Sequence, residues 1–257
     1  MTTHHPVAII TGSATGVGAA TARRLAAKGW RVVVNYTKSE AEARETEAAC
    51  RASGADTLLV RGDVAEDADC RRLASAALDA WGRIDALVNN AGVTRFAAHG
   101  DLDAIGAADF QRIYAVNVVG AYQMVRACAP AMKRQGRGAV VNVSSIAGVT
   151  GMGSSIAYAA SKAALNSITL TLARALGPEI RVNAVCPGMI EGRWLREGLG
   201  EKVYEAVRER YRANAPLRRA AQPDDIAEAI VWLIEGAAVV TGELLLLDAG
   251  MHVAVPL

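Results

Sequence analysis

Short apolar runs alternate with longer stretches of helical period along the 257 residues. Pro6–Thr11 reads as a short buried strand, and Arg31–Asn35, Thr57–Arg61, Ile84–Val88, Ala139–Val143, Ile180–Val185 and Glu243–Leu247 read as further strands, seven in all. Between them Ala19–Lys28, Ser39–Arg51, Glu66–Trp81, Ala107–Gln135, Ser154–Leu176 and Asp224–Ile234 read as helices. Gly29 ends the first helix and Gly177-Pro178 stops the one that begins at Ser154. Strand following helix following strand predicts one α/β domain over residues 1–257. One stretch, Met189–Ala215, breaks the alternation after the sixth strand, where an open α/β sheet builds its ligand crevice; it reads as a less regular substrate lid.

Two places in this pattern carry chemistry. The first strand runs directly into Gly12-Ser13-Ala14-Thr15-Gly16-Val17-Gly18, and a helix follows at once. Glycines let the backbone turn tightly and approach a ligand, while a helix N-terminus offers unpaired N–H groups and a positive dipole end to a pyrophosphate. The spacing is G-x-x-x-G-x-G, and its place between strand and helix points to a dinucleotide. In the second place, Tyr158 and Lys162 stand four residues apart on a helix and so share a face. A free phenol ionises near pH ~10. A neighbouring cation stabilises the phenolate and brings the tyrosine within reach of acid–base work.

Together these features resemble the short-chain dehydrogenase/reductase family, and the resemblance runs through nearly the whole chain. It implies a Rossmann-type doubly wound parallel sheet of seven strands with helices on both faces. Further matches come in the family's order. Asp63-Val64 follows the third strand, where the family's Asp meets the adenine edge, and Asn89-Asn90-Ala91-Gly92 closes the fourth, along the adenosine half of the cofactor. Asn117 stands at the family's catalytic asparagine, Ser145 precedes Tyr158 by 13 residues, and Pro187-Gly188, with Ile190 beyond, ends the sixth strand beside the nicotinamide. The family's mechanism transfers hydride between carbon 4 of the nicotinamide and a carbonyl or carbinol carbon. The resemblance makes Tyr158 the acid or base, Lys162 the group that holds the nicotinamide ribose and lowers the tyrosine pKa, Ser145 the partner of the substrate oxygen, and Asn117 the residue that orders a proton-supplying water.

Cofactor choice is read at Asn35-Tyr36-Thr37-Lys38, where Tyr36 aligns with the family's ribose-chelating acid. Without that carboxylate a 2′-phosphate meets no repulsion, and Lys38 attracts it, so NADP(H) is preferred and NAD remains possible. Thr15 replaces the basic residue of many NADP-dependent relatives, and Gly192 replaces a lid threonine that holds the carboxamide. The stretch Asn89–Arg95 is similar to 3-oxoacyl-carrier-protein reductases, with Arg134 and Arg137 as cations for an acidic carrier; Gly177-Pro178-Glu179 departs from their pattern. The expected activity is reduction of a ketone or 3-oxoacyl thioester. The alternatives are a sugar or secondary-alcohol dehydrogenase and, in a different class, a sensor that binds NADP(H) without turnover. Trp194 offers either a pocket wall or lid packing.

Composition narrows the partners. A formal net charge of +2 with scattered basic residues gives no nucleic-acid footprint, and Met1–Pro6 lacks the apolar centre of a signal peptide. No apolar run approaches the ~18 residues of a membrane span, so a cytoplasmic protein is expected. Cys50, Cys70, Cys128 and Cys186 lack metal or disulfide spacing and read as reduced, partly buried thiols; no metal is expected. His4 and His5 fall in a tail, and His99 and His252 have no matching partner nearby in sequence. Small and apolar residues along the tyrosine-bearing helix, Ala163, Ala164, Ser167, Leu170 and Ala173, suggest helix pairing in a homodimer or homotetramer.

Overall fold

Successive side chains of a strand point to opposite faces, so a strand that is apolar throughout must be covered twice. The computed structural model, which describes residues 5–254, meets that demand. Its strands are β1 Val7–Ile10, β2 Arg31–Tyr36, β3 Thr57–Arg61, β4 Ala86–Asn89, β5 Gly138–Val143, β6 Ile180–Pro187 and β7 Leu244–Leu247. The helices are α1 Gly16–Ala27, α2 Glu40–Ala52, α3 Asp67–Trp81, α4 Ala107–Tyr114, α5 Ala121–Arg134, α6 Ala147–Thr150, α7 Ile156–Leu176, α8 Arg193–Leu199, α9 Glu201–Asn214 and α10 Pro223–Glu235. Val7 and Ile9 pack with Val33, Leu87 and Val140 under α3 and α5, while Ala8 and Ile10 pack with Val34, Val88 and Val141 under α1 and α10.

All seven strands pair in parallel in the order β3-β2-β1-β4-β5-β6-β7. The order reverses between β1 and β4, and the crevice outside the carboxyl ends of these strands is where such sheets take a ligand. Register keeps the ends level: Ile10 stands beside Val34 and Val88, Asn89 beside Asn142, Val143 beside Val185, and Pro187 beside Leu247.

The expected strands and helices are present with ends shifted by one to three residues. The expected helix Ala107–Gln135 is α4 and α5 joined by one π-type turn, Ala115–Gly120, which carries Asn117. A larger correction concerns Met189–Ala215, which is regular: it holds α8 and α9. Its inward side, Tyr204, Tyr211 and Ala215 with Met189 and Ala220, forms a separate small core, and Ile190 bridges to Ala221. Of the small residues on α7, Ala163, Ser167 and Leu170 are exposed but Ala173 is buried in the core, so it is not part of a pairing face.

His252 corrects another expectation. Its Nδ1 lies 2.8 Å from Oδ1 of Asp248, one helical turn earlier and itself buried. His4 lies outside the described residues, whereas His5 Nδ1 sits 2.9 Å from the carbonyl of Gly29. No helix among the described residues is long and apolar enough to cross a membrane, and no cluster of side chains there has a metal-binding arrangement.

Candidate active site

The glycine turn is shaped by contacts that exclude side chains. Gly12 and Gly16 have φ of +60° and +57°, a region glycine enters without a Cβ penalty. At Gly18 the restriction is space, since a Cβ there would stand 2.5 Å from Asn90 Nδ2 and 2.7 Å from the Gly12 carbonyl. Asn90 ties the strand ends together: Nδ2 donates to the carbonyls of Thr11 and Gly12, each at 2.9 Å. No side chain caps α1, and Thr15 and Gly16 are exposed at its N-terminus. Open backbone N–H groups beside a turn too tight for side chains fit a pyrophosphate.

Two of the expected cofactor contacts are engaged elsewhere. Asn35 is 1% exposed, its Oδ1 accepts from Gly12 N at 2.9 Å, and its Nδ2 donates to the carbonyls of Val60 and Gly62. It braces the turn from below and has no group free for a ligand. Ser13 is likewise buried, donating to the Ile10 carbonyl and accepting from Asn35 N. Tyr36 and exposed Thr37 and Lys38 lie at the rim, with Thr37 Oγ1 donating to Gly62 O at 3.3 Å. Asp63 accepts from Ala65 N, while Val64 supports the π-type turn where Gly120 has no room for a Cβ. Ala91 and exposed Gly92 continue the rim, and a Cβ on Gly92 would stand 3.5 Å from Asn117 Oδ1 and 3.6 Å from Lys162 Nζ.

The four residues aligned with the catalytic positions come together from separate elements. Tyr158 and Lys162 share the inner face of α7, with Nζ 5.5 Å from the phenol ring centroid. Ser155 starts that helix by accepting from Tyr158 N, as an N-cap serine does. Lys162 Nζ donates to the carbonyl of Val143 at 2.8 Å, and Gly148 lets α6 press on the Lys162 backbone, where a Cβ would come within 2.5 Å. Ser145 follows β5; its Oγ accepts from Ala147 N and donates, at 3.4 Å, to the carbonyl of Pro187. Asn117 is fully occupied: Oδ1 accepts from Val93 N at 2.8 Å, and Nδ2 donates to Val93 O and to Ser161 Oγ, both at 3.0 Å. Val93 and Ser161, which hold it, carried no signal in the sequence.

The electrostatics correct the expected tyrosine. Burial pushes the phenol up, to about 12, with the Ser145 hydroxyl opposing the rise. Lys162 does not lower it here, because burial brings the ammonium itself down, to about 8, and its donor is turned to Val143. Near neutrality the pair is therefore a phenol that keeps its proton beside a cation close to giving up its own.

The lid closes one side with aromatic rings. Trp194, on α8, lies 6.1 Å from the Tyr158 ring and 5.4 Å from that of Phe96, centroid to centroid. Arg134 and Arg137, by contrast, precede β5, whereas Ser145 follows it; a strand of six residues separates them by ~20 Å. Arg137 lies 3.9 Å from Asp85 at the opposite edge of the sheet, so neither arginine faces a carrier delivering an acyl chain to Ser145 and Tyr158.

A sequence profile described as Enoyl-(Acyl carrier protein) reductase matches residues 12–252, the stretch that runs from the glycine turn through Asn117, Ser145, Tyr158 and Lys162 to the lid. The chain belongs to the short-chain dehydrogenase/reductase family. It is 45% identical over 96% of both chains to the Streptomyces violaceoruber protein named "Granaticin polyketide synthase putative ketoacyl reductase 2". It is 37% identical to L-rhamnose 1-dehydrogenase (NAD(P)(+)) of a Sphingomonas species, over 95% of each chain. The solved structure of levodione reductase matches with a TM-score of 0.90 and 30% identity, covering 97% of this chain and 98% of that one. This short-chain dehydrogenase/reductase is thus an oxidoreductase of an NAD(P)-using family, on the sheet the sequence predicted.

The thiols are buried completely, where partial burial was expected. Desolvation pushes Cys50 and Cys186 up to about 11 and Cys70 to about 12, and Cys128 is raised as well. These thiols stay protonated in the fold at a pH where the unfolded chain ionises them, so stability falls as pH climbs above 9. The raised phenols of Tyr158 and Tyr211 act in the same sense, and Lys162, with its lowered pKa, acts in the opposite sense between about 8 and 10.5, one group against six. We expect a net loss of stability between pH 9 and 10.5. Thermal denaturation over that range should show the melting temperature falling; a constant or rising value contradicts the assignment.

Proposed function

We propose that this enzyme reduces a ketone with NADPH. The observation that carries the reading is the convergence of Tyr158, Lys162 and Ser145 at the carboxyl ends of β5 and β6, beside an uncapped, glycine-lined helix N-terminus. When bound there, NADPH supplies a hydride to the carbonyl carbon, leaving NADP⁺ and, with one proton, the alcohol. The α1 N-terminus with Thr15, Gly16 and Val17 would hold the pyrophosphate, and Gly12, Ala91 and Gly92 would leave room for the rest of the cofactor. Ser145 holds the carbonyl oxygen by hydrogen bond, and Tyr158 gives that oxygen its proton. Burial keeps the phenol protonated at rest, but at about 12 it lies well above the near-neutral pKa at which a general acid works best. Lys162, whose Nζ lies 5.5 Å from the phenol ring centroid, would hold the nicotinamide ribose, and Pro187, Gly188 and Ile190 would flank the nicotinamide. Asn117 fixes the Val93 and Ser161 side of the cleft, and with its side-chain amide fully bonded there it has no group left to order the expected water.

NADPH is favoured over NADH by the rim of β2. Tyr36 stands where a ribose-binding carboxylate would repel a 2′-phosphate, Lys38 is exposed beside it, and Arg61 is its register partner on β3. The acid closest to Tyr36, Glu40, is held by Arg44 at 2.6 Å.

Assembly follows from the π-type turn, α5 and α7, where Val119, Tyr122, Ile156 and Leu170 are each more than a third exposed. We propose that a second copy covers this face in a homodimer, doubled into a homotetramer. Light scattering at micromolar protein should give a multiple of 26.9 kDa; a monomeric mass overturns the assembly.

Tyr158→Phe should remove turnover by a factor of about 10²–10⁴ while dinucleotide affinity changes little. Titration of NADPH by fluorescence beside steady-state rates separates the two, and more than about a tenth of the wild-type kcat in the Phe variant rejects the acid's role. For the cofactor, kcat/KM with NADPH should exceed that with NADH, and Tyr36→Asp should reverse the order. An unmutated enzyme that uses NADH equally well overturns the preference.

A further inference from the structure

The substrate class can be read from the side of the cleft that the glycine turn does not touch. Phe96, Trp194 and Tyr158 form a row of three rings, with successive centroids 5.4 and 6.1 Å apart and planes tilted by 56° and 46°. These are separations at which aromatic rings attract through their edges and faces. The row is built, not incidental. Trp194 and Gly198 lie four residues apart on α8 and so share a face, and Phe96 meets both of them. A Cβ at Gly198 would collide with the Phe96 ring, so the glycine exists to let that ring lie against the helix backbone. The loop after β4 is thereby latched to the lid through Phe96, while Trp194 keeps 48% of its surface free beside the catalytic phenol.

The charges near this row are cancelled. Arg95 precedes Phe96 and pairs with Asp109 at 3.0 Å; Arg193 precedes Trp194 and pairs with Glu42 at 3.0 Å; Arg196 pairs with Glu201 at 2.7 Å. A wall of ring faces with its flanking cations neutralised attracts a flat, uncharged molecule. It offers neither a free cation to a carrier's acidic surface nor a hydroxyl lattice to a sugar.

We infer that Phe96 and Trp194 select a carbonyl carried on an aromatic or fused ring, which lies against Trp194 with its oxygen at Tyr158 and Ser145. This rests on the ketone-reductase reading above. Phe96 acts as the specificity-determining residue behind Trp194, holding the indole at the angle that leaves one face open. An aromatic pair contributes about 0.5–1.5 kcal/mol beyond the area it buries, which converts to roughly two- to twelvefold in kcat/KM.

The test uses NADPH with three carbonyl probes: 1-tetralone, 2-octanone and the N-acetylcysteamine thioester of acetoacetate. The unmutated enzyme should prefer 1-tetralone, and Phe96→Leu or Trp194→Leu should lower the ratio of kcat/KM for 1-tetralone to that for 2-octanone by about three- to tenfold. Phe96→Tyr, which keeps a ring, should keep the ratio. An unchanged ratio in both Leu variants, or a preference for 2-octanone or the thioester in the unmutated enzyme, overturns the inference. Quenching of tryptophan fluorescence by 1-tetralone reads the slot without turnover. Quenching lost in Trp194→Leu supports the slot even if no ketone is reduced, an outcome that would remove the reductase reading alone; quenching that survives that substitution rejects the slot.

Discussion

Parallel pairing of every strand is the constraint on which the rest depends. A parallel sheet delivers all its carboxyl ends to one edge, so residues as far apart in sequence as Gly12, Asn90, Ser145 and Pro187 arrive on one rim without any long-range design of their own. Each end is then fixed by a short bond to its neighbour. Asn90 reaches from β4 to the carbonyls that follow β1, Asn35 reaches from β2 to the nitrogen of Gly12, and Ser145 reaches from β5 toward the carbonyl of Pro187 on β6. The cleft is a row of strand ends sewn together by side-chain amides and hydroxyls, and Gly12 and Gly18 are small because the sewing leaves no room.

The strands and most helices were legible because burial on two faces forces continuous apolar runs, and nothing in the rest of the chain can disguise such a run. The lid was not. Tyr204, Val207, Tyr211 and Ala215 do follow helical spacing, but α9 is so densely charged between them that its one apolar stripe reads as scattered residues. The site divides the same way. Tyr158 and Lys162 stand out by spacing, Ser145 and Asn117 by the family resemblance, and the structure brings the four side chains to one cleft. What spacing could not convey is burial: Asn35 and Ser13 sit at positions that suggest ligand contact, yet both are sealed beneath the turn, and burial raises the Tyr158 phenol where a lowering was expected. The contact of Phe96 with Gly198 joins segments about a hundred residues apart, a relation no local pattern encodes.

Burial also sets the protonation state of the resting cleft. It holds the Tyr158 proton in place and brings the Lys162 ammonium down to about 8. Donation to a carbonyl oxygen is the half of the reaction that the protein supplies; the other half is a hydride.

The most direct test of that account follows the hydride itself. Each of the two C4-deuterated epimers of NADPH is incubated with the enzyme and an aryl ketone, and the product alcohol is read by mass spectrometry. One epimer should place a single deuterium on the carbinol carbon and the other none. Alcohol lacking deuterium from both epimers, or no alcohol while NADPH is bound, would contradict direct hydride transfer at this site.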